Sequence, residues 1–162
     1  MTNQVEGRQA VRELLRAGKR RVERVTIAAG ASEKGVLAEI VDLARAAGVP
    51  VRTVGREEID SRALTDSPQG VIAVAQPLRE FDVTDLLKVP SPFLVVLDGV
   101  TDPHNLGAVM RSALCAGATG LVIARHRSAA LTPAAVKSAA GAAEHLPVAV
   151  VGGVPAALSA LS

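Results

Sequence analysis

Apolar and polar positions fall into blocks along this chain that spell strand and helix in turn. The clearest block runs from Phe93 to Ile123, FLVVLDGVTDPHNLGAVMRSALCAGATGLVI. Phe93–Leu97 is an unbroken apolar run, the composition of a parallel strand covered on both faces. Asp98-Gly99 and Asp102-Pro103 end it with turn chemistry, and Asn105 is a good N-cap for a helix over Leu106–Ala116. Gly117 stops that helix and Leu121–Ile123 begins another buried strand. At about 100° per residue, Leu106, Val109, Met110, Ala113 and Leu114 share a core-facing arc. The opposite arc, Gly107, Ala108, Arg111, Ser112 and Cys115, has one long side chain among small ones. A solvated face normally carries several Lys or Glu, so this arc fits close approach by a ligand, a strand or a second subunit. An ordinary helix with one exposed arginine has the same pattern.

Upstream, the pattern predicts helix Gly7–Ala17, strand Val25–Ala28, helix Glu33–Ala47, strand Val51–Val54, short helix Arg56–Leu64 and strand Val71–Ala75. Thr65–Gly70 is a loop with two breakers, Pro68 and Gly70. Pro77, Pro90 and Pro92 punctuate a connector that also holds the short amphipathic piece Asp82–Leu87. The expected division is an N-terminal unit over 1–76, a linker over 77–92 and a C-terminal unit over 93–162. Val148–Val151 reads as a further strand, Gly152-Gly153 as a turn, and Pro155 suits a first helical position. Ala156–Ser162 would be only the opening turns of a helix, too short to hold alone. The fold class is α/β in both units.

Composition narrows the class. With 162 residues, 49% of them hydrophobic, the chain has enough material for one core or two small ones, and disorder is excluded. One cysteine, Cys115, rules out an internal disulfide and fits a reducing compartment. The chain opens polar, without a signal-like segment, and no stretch approaches the roughly 20 apolar residues of a membrane span. A cytoplasmic protein without a membrane partner is expected. His104, His126, His145 and Cys115 show no metal-ligand spacing, so no metal is expected.

The net charge is +2, but the cations cluster. Arg8, Arg12 and Arg16 recur on one helix face, opposite Val11, Leu14 and Leu15, and Lys19, Arg20, Arg21 and Arg24 follow. Such a stripe and loop suit a phosphate backbone, and a solvated face on a basic protein reads the same way. Arg125, His126 and Arg127 follow the strand at Leu121–Ile123, on the side of such a sheet where chemistry usually sits. With no Trp, no Tyr and only Phe81 and Phe93, base stacking on aromatic platforms is not available as a main mode.

The segment DGVTDPHNLGAVMRSALCAGATGLVI resembles the first motif of the SpoU-type, TrmH-like RNA ribose 2′-O-methyltransferases of the SPOUT superfamily. The Asn-x-Gly and arginine positions of that motif are Asn105, Gly107 and Arg111. SAALTPAAVKSAAGAAEHLPV is similar to the next motif, through Lys137, Ser138, Gly141, Ala142, Glu144 and Pro147. Gly7 to Val11, together with Gln69-Gly70, resembles the substrate-binding domain many of these enzymes carry at the N-terminus. The likeness spans nearly the whole chain. Two later motifs, which form the S-adenosylmethionine-binding knot in this family, are not reached before Ser162. The resemblance therefore implies a small N-terminal RNA-binding α/β domain followed by the first part of a trefoil-knot SPOUT domain, truncated before the knot.

The resemblance implies S-adenosylmethionine-dependent methylation of a ribose 2′-hydroxyl, in ribosomal RNA ahead of transfer RNA, by a homodimeric parent. This 162-residue chain alone would be inactive and would contain no cofactor-binding residue. A 2′-hydroxyl holds its proton tightly, so transfer needs that proton removed and the oxygen aligned. Arg111 is the implied catalytic residue, as the group activating the hydroxyl or as a clamp on phosphate and developing charge. Asn105 is implied beside it, with helix capping as the plainer role. RNA contacts are expected at Arg8, Arg12, Arg16, Lys19, Arg20, Arg21, Arg125 and Arg127. The rival reading is a non-catalytic RNA-binding or assembly protein that keeps the scaffold without a donor site. A generic nucleotide-binding enzyme is disfavoured because neither Gly-x-Gly-x-x-Gly nor a Walker loop follows any strand.

Overall fold

The computed structural model describes residues 3–30 and 35–161. The chain divides into two compact units, Met1–Leu78 and Arg79–Ser162. In the first, four strands stand in the order β1 (Gln4–Glu6), β4 (Val71–Ala75), β2 (Val22–Ala28), β3 (Val51–Val54). β4 is antiparallel to β1 and to β2, and β2 is parallel to β3. The continuous apolar sequence of β4 belongs at the centre of the sheet, and Val71, Ile72, Ala73 and Ala75 are all buried there. Helix α1 (Arg8–Ala17) buries Ala10, Val11, Leu14 and Leu15 along helix α2 (Val36–Ala46), which buries Leu37, Ile40 and Ala44. Side chains such as Leu14 and Ile40 each contribute about 1.5–3 kcal/mol by leaving water. Ile59 of helix α3 (Arg56–Arg62) joins Ala28, Val54 and Ile72 in a separate cluster.

The second unit is built on a wholly parallel sheet, ordered β5 (Glu80–Phe81), β8 (Val148–Val151), β7 (Gly120–Ala124), β6 (Leu94–Leu97). β7 is central and buried at every position. Helix α4 (Pro103–Cys115) packs on α5 (Pro133–Ser138) and α6 (Ala142–His145), and α7 (Val154–Leu161) follows β8. Because all four strands run the same way, their carboxyl ends share one edge, where loops can carry chemistry.

Several expectations change. The segment 77–92, read as a linker, pairs β5 to β8 and places Leu86 in a core cluster with Val122, Ala149 and Ala157. On the turn Asp85–Leu87, Lys88 holds the half-buried Asp85 carboxyl below its usual range, by hydrogen bond first and charge second. Helix α3 stops at Arg62, not Leu64, because Ala63 is extended and the amides of Leu64 and Thr65 are drawn to Glu6. β2 begins at Val22, so Arg24 lies on a strand rather than in a basic loop. The expected helix start at Glu33 lies outside the described residues. Strands β1 and β5 and the short helices α5 and α6 were not foreseen by periodicity, since each is too short to show a period.

Candidate functional site

The loop after β6 begins with turn residues, and Asp102 then caps α4 by accepting from the His104 N–H at 2.8 Å, with Pro103 leading the helix. Proline suits that place because it has no N–H to leave unpaired. The expected cap, Asn105, is therefore corrected: it is an exposed residue of the first turn, and the helix starts earlier than Leu106. Arg111 is exposed and has no hydrogen-bond or ion-pair partner among the described residues. Six residues at about 1.5 Å each separate Asn105 and Arg111 by roughly 9 Å along the axis, and no hydrogen bond joins them.

Gly107 has a structural role that periodicity on its own helix does not reveal. A β-carbon there would lie 2.5 Å from the Ser138 β-carbon and 2.7 Å from both the Ala135 carbonyl oxygen and the Ala139 nitrogen. Helix α5 thus presses directly on α4, and the Ser138 hydroxyl donates to the His104 carbonyl at 3.0 Å. The small-residue arc, expected to meet a ligand, strand or subunit, is taken at Gly107 by the chain's own helix, while Arg111, Ser112 and Cys115 stay exposed. Ala140 and Gly141, both at positive φ (51° and 101°), turn α5 sharply into α6. Glu144 is buried and Lys137 half-buried.

Three loops are joined at the carboxyl edge. The Ala129 N–H donates to the Val100 carbonyl at 2.6 Å and the Ser128 hydroxyl to the same oxygen at 3.2 Å. The Arg125 N–H donates to the Val151 carbonyl at 2.7 Å. Arg125, His126 and Arg127 are exposed on this seam, as are Asp98 and Asp102. Beside it, an open groove of about 550 Å³ runs between Phe81–Thr84 and Val150–Gly153, with Ala156 and Ala157 on its wall.

The N-terminal cations divide. Arg12 bonds Glu13 at 3.2 Å and meets Glu39 of α2 at 3.6 Å; Arg16 meets Glu13 at 3.3 Å and Glu39 more closely. Arg8 is tied to Gln69: its N–H donates to Oε1 at 2.9 Å and its Nε to the carbonyl at 3.1 Å. Arg20 donates to the Gln76 carbonyl at 2.7 Å. Lys19 and Arg21 are exposed. Sequence reasoning missed Glu6, which is fully buried and accepts from Gln4 Nε2 at 2.7 Å, from the Leu64 and Thr65 amides at 2.6 and 3.2 Å, and from the Thr65 hydroxyl.

A sequence profile described as the SpoU rRNA Methylase family matches residues 92–162, and one described as RNA 2′-O ribose methyltransferase substrate binding matches residues 4–81. The 23S rRNA (guanosine-2′-O-)-methyltransferase RlmB of Escherichia coli (strain K12) is 38% identical over 152 residues, covering 91% of this chain and 62% of the relative. The enzyme of that name from Photorhabdus laumondii is 39% identical over the same coverage. The chain thus spans 62% of the length of these relatives. The solved SpoU methyltransferase AviRb from Streptomyces viridochromogenes, in complex with AdoMet, shares the fold with a TM-score of 0.75 at 21% identity, over 98% of this chain and 57% of that one. A solved RNA 2′-O ribose methyltransferase gives a TM-score of 0.65 at 26% identity, over 91% and 54%. With a profile on each unit and relatives aligned across both, the chain is homologous to the SpoU-type RNA methylases.

Proposed function

We propose that this protein methylates a ribose 2′-hydroxyl of RNA with S-adenosylmethionine as donor, and that a guanosine of 23S ribosomal RNA is the first substrate to test. The observation that carries the reading is the junction of α4 with α5. There the residues of the two motifs interlock through Gly107 and Ser138, leaving Asn105, in the first turn of α4, and Arg111, nearly two turns further along it, exposed. Identity of 38% over 152 residues to a methyltransferase of 23S RNA supports the same substrate class. Ribosomal RNA as substrate puts the proposed place of action in the cytoplasm.

The chemistry follows from the side chains present. Arg111 is a cation with donors uncommitted; it holds a phosphate next to the target ribose and stabilises the negative charge that develops on the 2′-oxygen. The hydroxyl proton passes to that phosphate oxygen, because a guanidinium has no acceptor for it. Asn105, freed from capping, offers its amide to the ribose. Arg125 and Arg127, with Lys19 and Arg21 on the other unit, are the phosphate contacts with exposed charge. The donor brings the electrophilic methyl group, but the residues present do not fit all of it. The groove beside β8 is open and its polar side chains are Asp82 and Thr84, too few to hold both the nucleoside and the amino-acid ends. We propose further that the protein works as a homodimer, with the exposed Ser112–Cys115 side of α4 available for a second subunit.

Single-turnover methylation of 23S RNA by the full-length protein tests the role of Arg111. Arg111→Ala should lower the rate about 100-fold or more while RNA affinity changes by no more than about twofold. An unchanged rate would remove Arg111 from the chemistry.

A further inference from the structure

We propose that residues 64–69 form a preorganised RNA-contacting loop, with Leu64 packing on an unstacked base and Glu6 and Arg8 as the residues that position it. The proposal rests on the RNA-methylase reading above and deepens it, since it names a contact on the substrate-binding unit.

The loop is held from both ends by the segment β1–α1. Glu6 lies wholly out of solvent, where an unsatisfied carboxylate would cost several kcal/mol. It is satisfied by the amides of Leu64 and Thr65, the Thr65 hydroxyl and Gln4 Nε2. Gln4 also donates to the Arg62 carbonyl at 2.8 Å. At the other end, Arg8 grips Gln69 through its backbone amide and its guanidinium, and Gln69 sits at a φ of 59°, unfavourable for a residue with a β-carbon. A buried carboxylate and a strained glutamine are thus spent on an exposed loop, and stored strain of this sort gathers at binding sites.

What the loop presents is apolar. Leu64 is 61% exposed, and it is the only large hydrophobic residue of 1–78 so exposed among the described residues. That unit has no aromatic residue, since Phe81 and Phe93 both lie beyond it, so Leu64 offers the one broad apolar surface a base could cover there. The apolar end of the loop does not suit phosphate: Asp66 is the only charge within it, the nearby Arg62 is paired to Glu58 at 2.7 Å, and the Arg8 guanidinium lies at the other end, bonded through Nε to the Gln69 carbonyl. A base face, not the backbone, is the chemistry that matches. The substrate-binding profile covering residues 4–81 makes RNA the occupant.

The test titrates the 162-residue chain with in vitro-transcribed 23S rRNA over a series of salt concentrations. Leu64→Ala should weaken binding about fivefold at every salt, leaving the slope of log K against log salt and the thermal midpoint unchanged. Glu6→Gln, which turns amide protons toward the loop's own donors, should weaken binding by as much. Should it fail to fold, the Leu64 arm decides. Leu64→Ala binding as tightly as the parent chain, or losing affinity only through a flatter salt slope, overturns the loop and leaves the methylase reading standing. A folded Glu6→Gln that binds normally overturns the positioning role. No binding by the unsubstituted chain overturns the RNA reading itself.

Discussion

Gly107 shows how a single residue can reverse an ordinary rule. Glycine inside a helix costs about 1 kcal/mol relative to alanine, so Gly107→Ala in an isolated α4 would stabilise it. Here the added methyl meets the Ser138 β-carbon and two backbone atoms of α5, none of which can rotate away. Gly107→Ala should therefore destabilise the protein by about 1–3 kcal/mol, read as a lower midpoint in thermal or urea unfolding. A neutral or stabilising effect would mean that α5 does not press on α4 as described. The glycine itself was legible as part of a motif, but its reason was not, because the partner helix is some thirty positions away. Glu6 was wholly illegible for the same reason. A glutamate between Val5 and Gly7 looks solvated until the chain brings back the amides of Leu64 and Thr65. Asn105 was misread more locally: Asp102-Pro103 makes a better helix start, and Asp102 reaches the amide first.

At the scale of the elements, the long periodic pieces declared themselves and the short ones did not. α1, α4 and the strands at Leu94–Leu97 and Val71–Ala75 carry enough apolar period or apolar run to be read alone. β5, with two residues, exists only because β8 is there to pair with it. The arginine stripe is the instructive case. Its spacing was correct for one helix face, yet the face it shares with α2 brings Glu39 to both Arg12 and Arg16. Partly exposed pairs of this kind are worth about 0–1 kcal/mol each, so they fasten the helices weakly while occupying the charge. Replacing Arg12 and Arg16 together with glutamine should leave the salt dependence of RNA binding nearly unchanged. Replacing Arg125 and Arg127 should reduce the slope by about 1–2, and the comparison is a filter-binding series at several salt concentrations. A large loss of slope from the Arg12 and Arg16 change would return the stripe to the RNA-binding surface.

The whole molecule combines an antiparallel-centred sheet with a parallel one, and the proposed labour divides along that line: the first unit holds RNA, the second carries Arg111 on α4, the helix that starts at the carboxyl edge of its sheet. The methyl-transfer reading is tested most directly by where the methyl goes. Unmodified 23S rRNA would be incubated with the full-length protein and S-adenosylmethionine, then cleaved with alkali, which spares the linkage next to a 2′-O-methylated ribose. The expected result is a single guanosine whose 3′ linkage resists alkali, absent when Arg111→Ala replaces the wild-type protein. Methyl label recovered on a base with every linkage still cleaved, or no transfer to RNA at all, would contradict it.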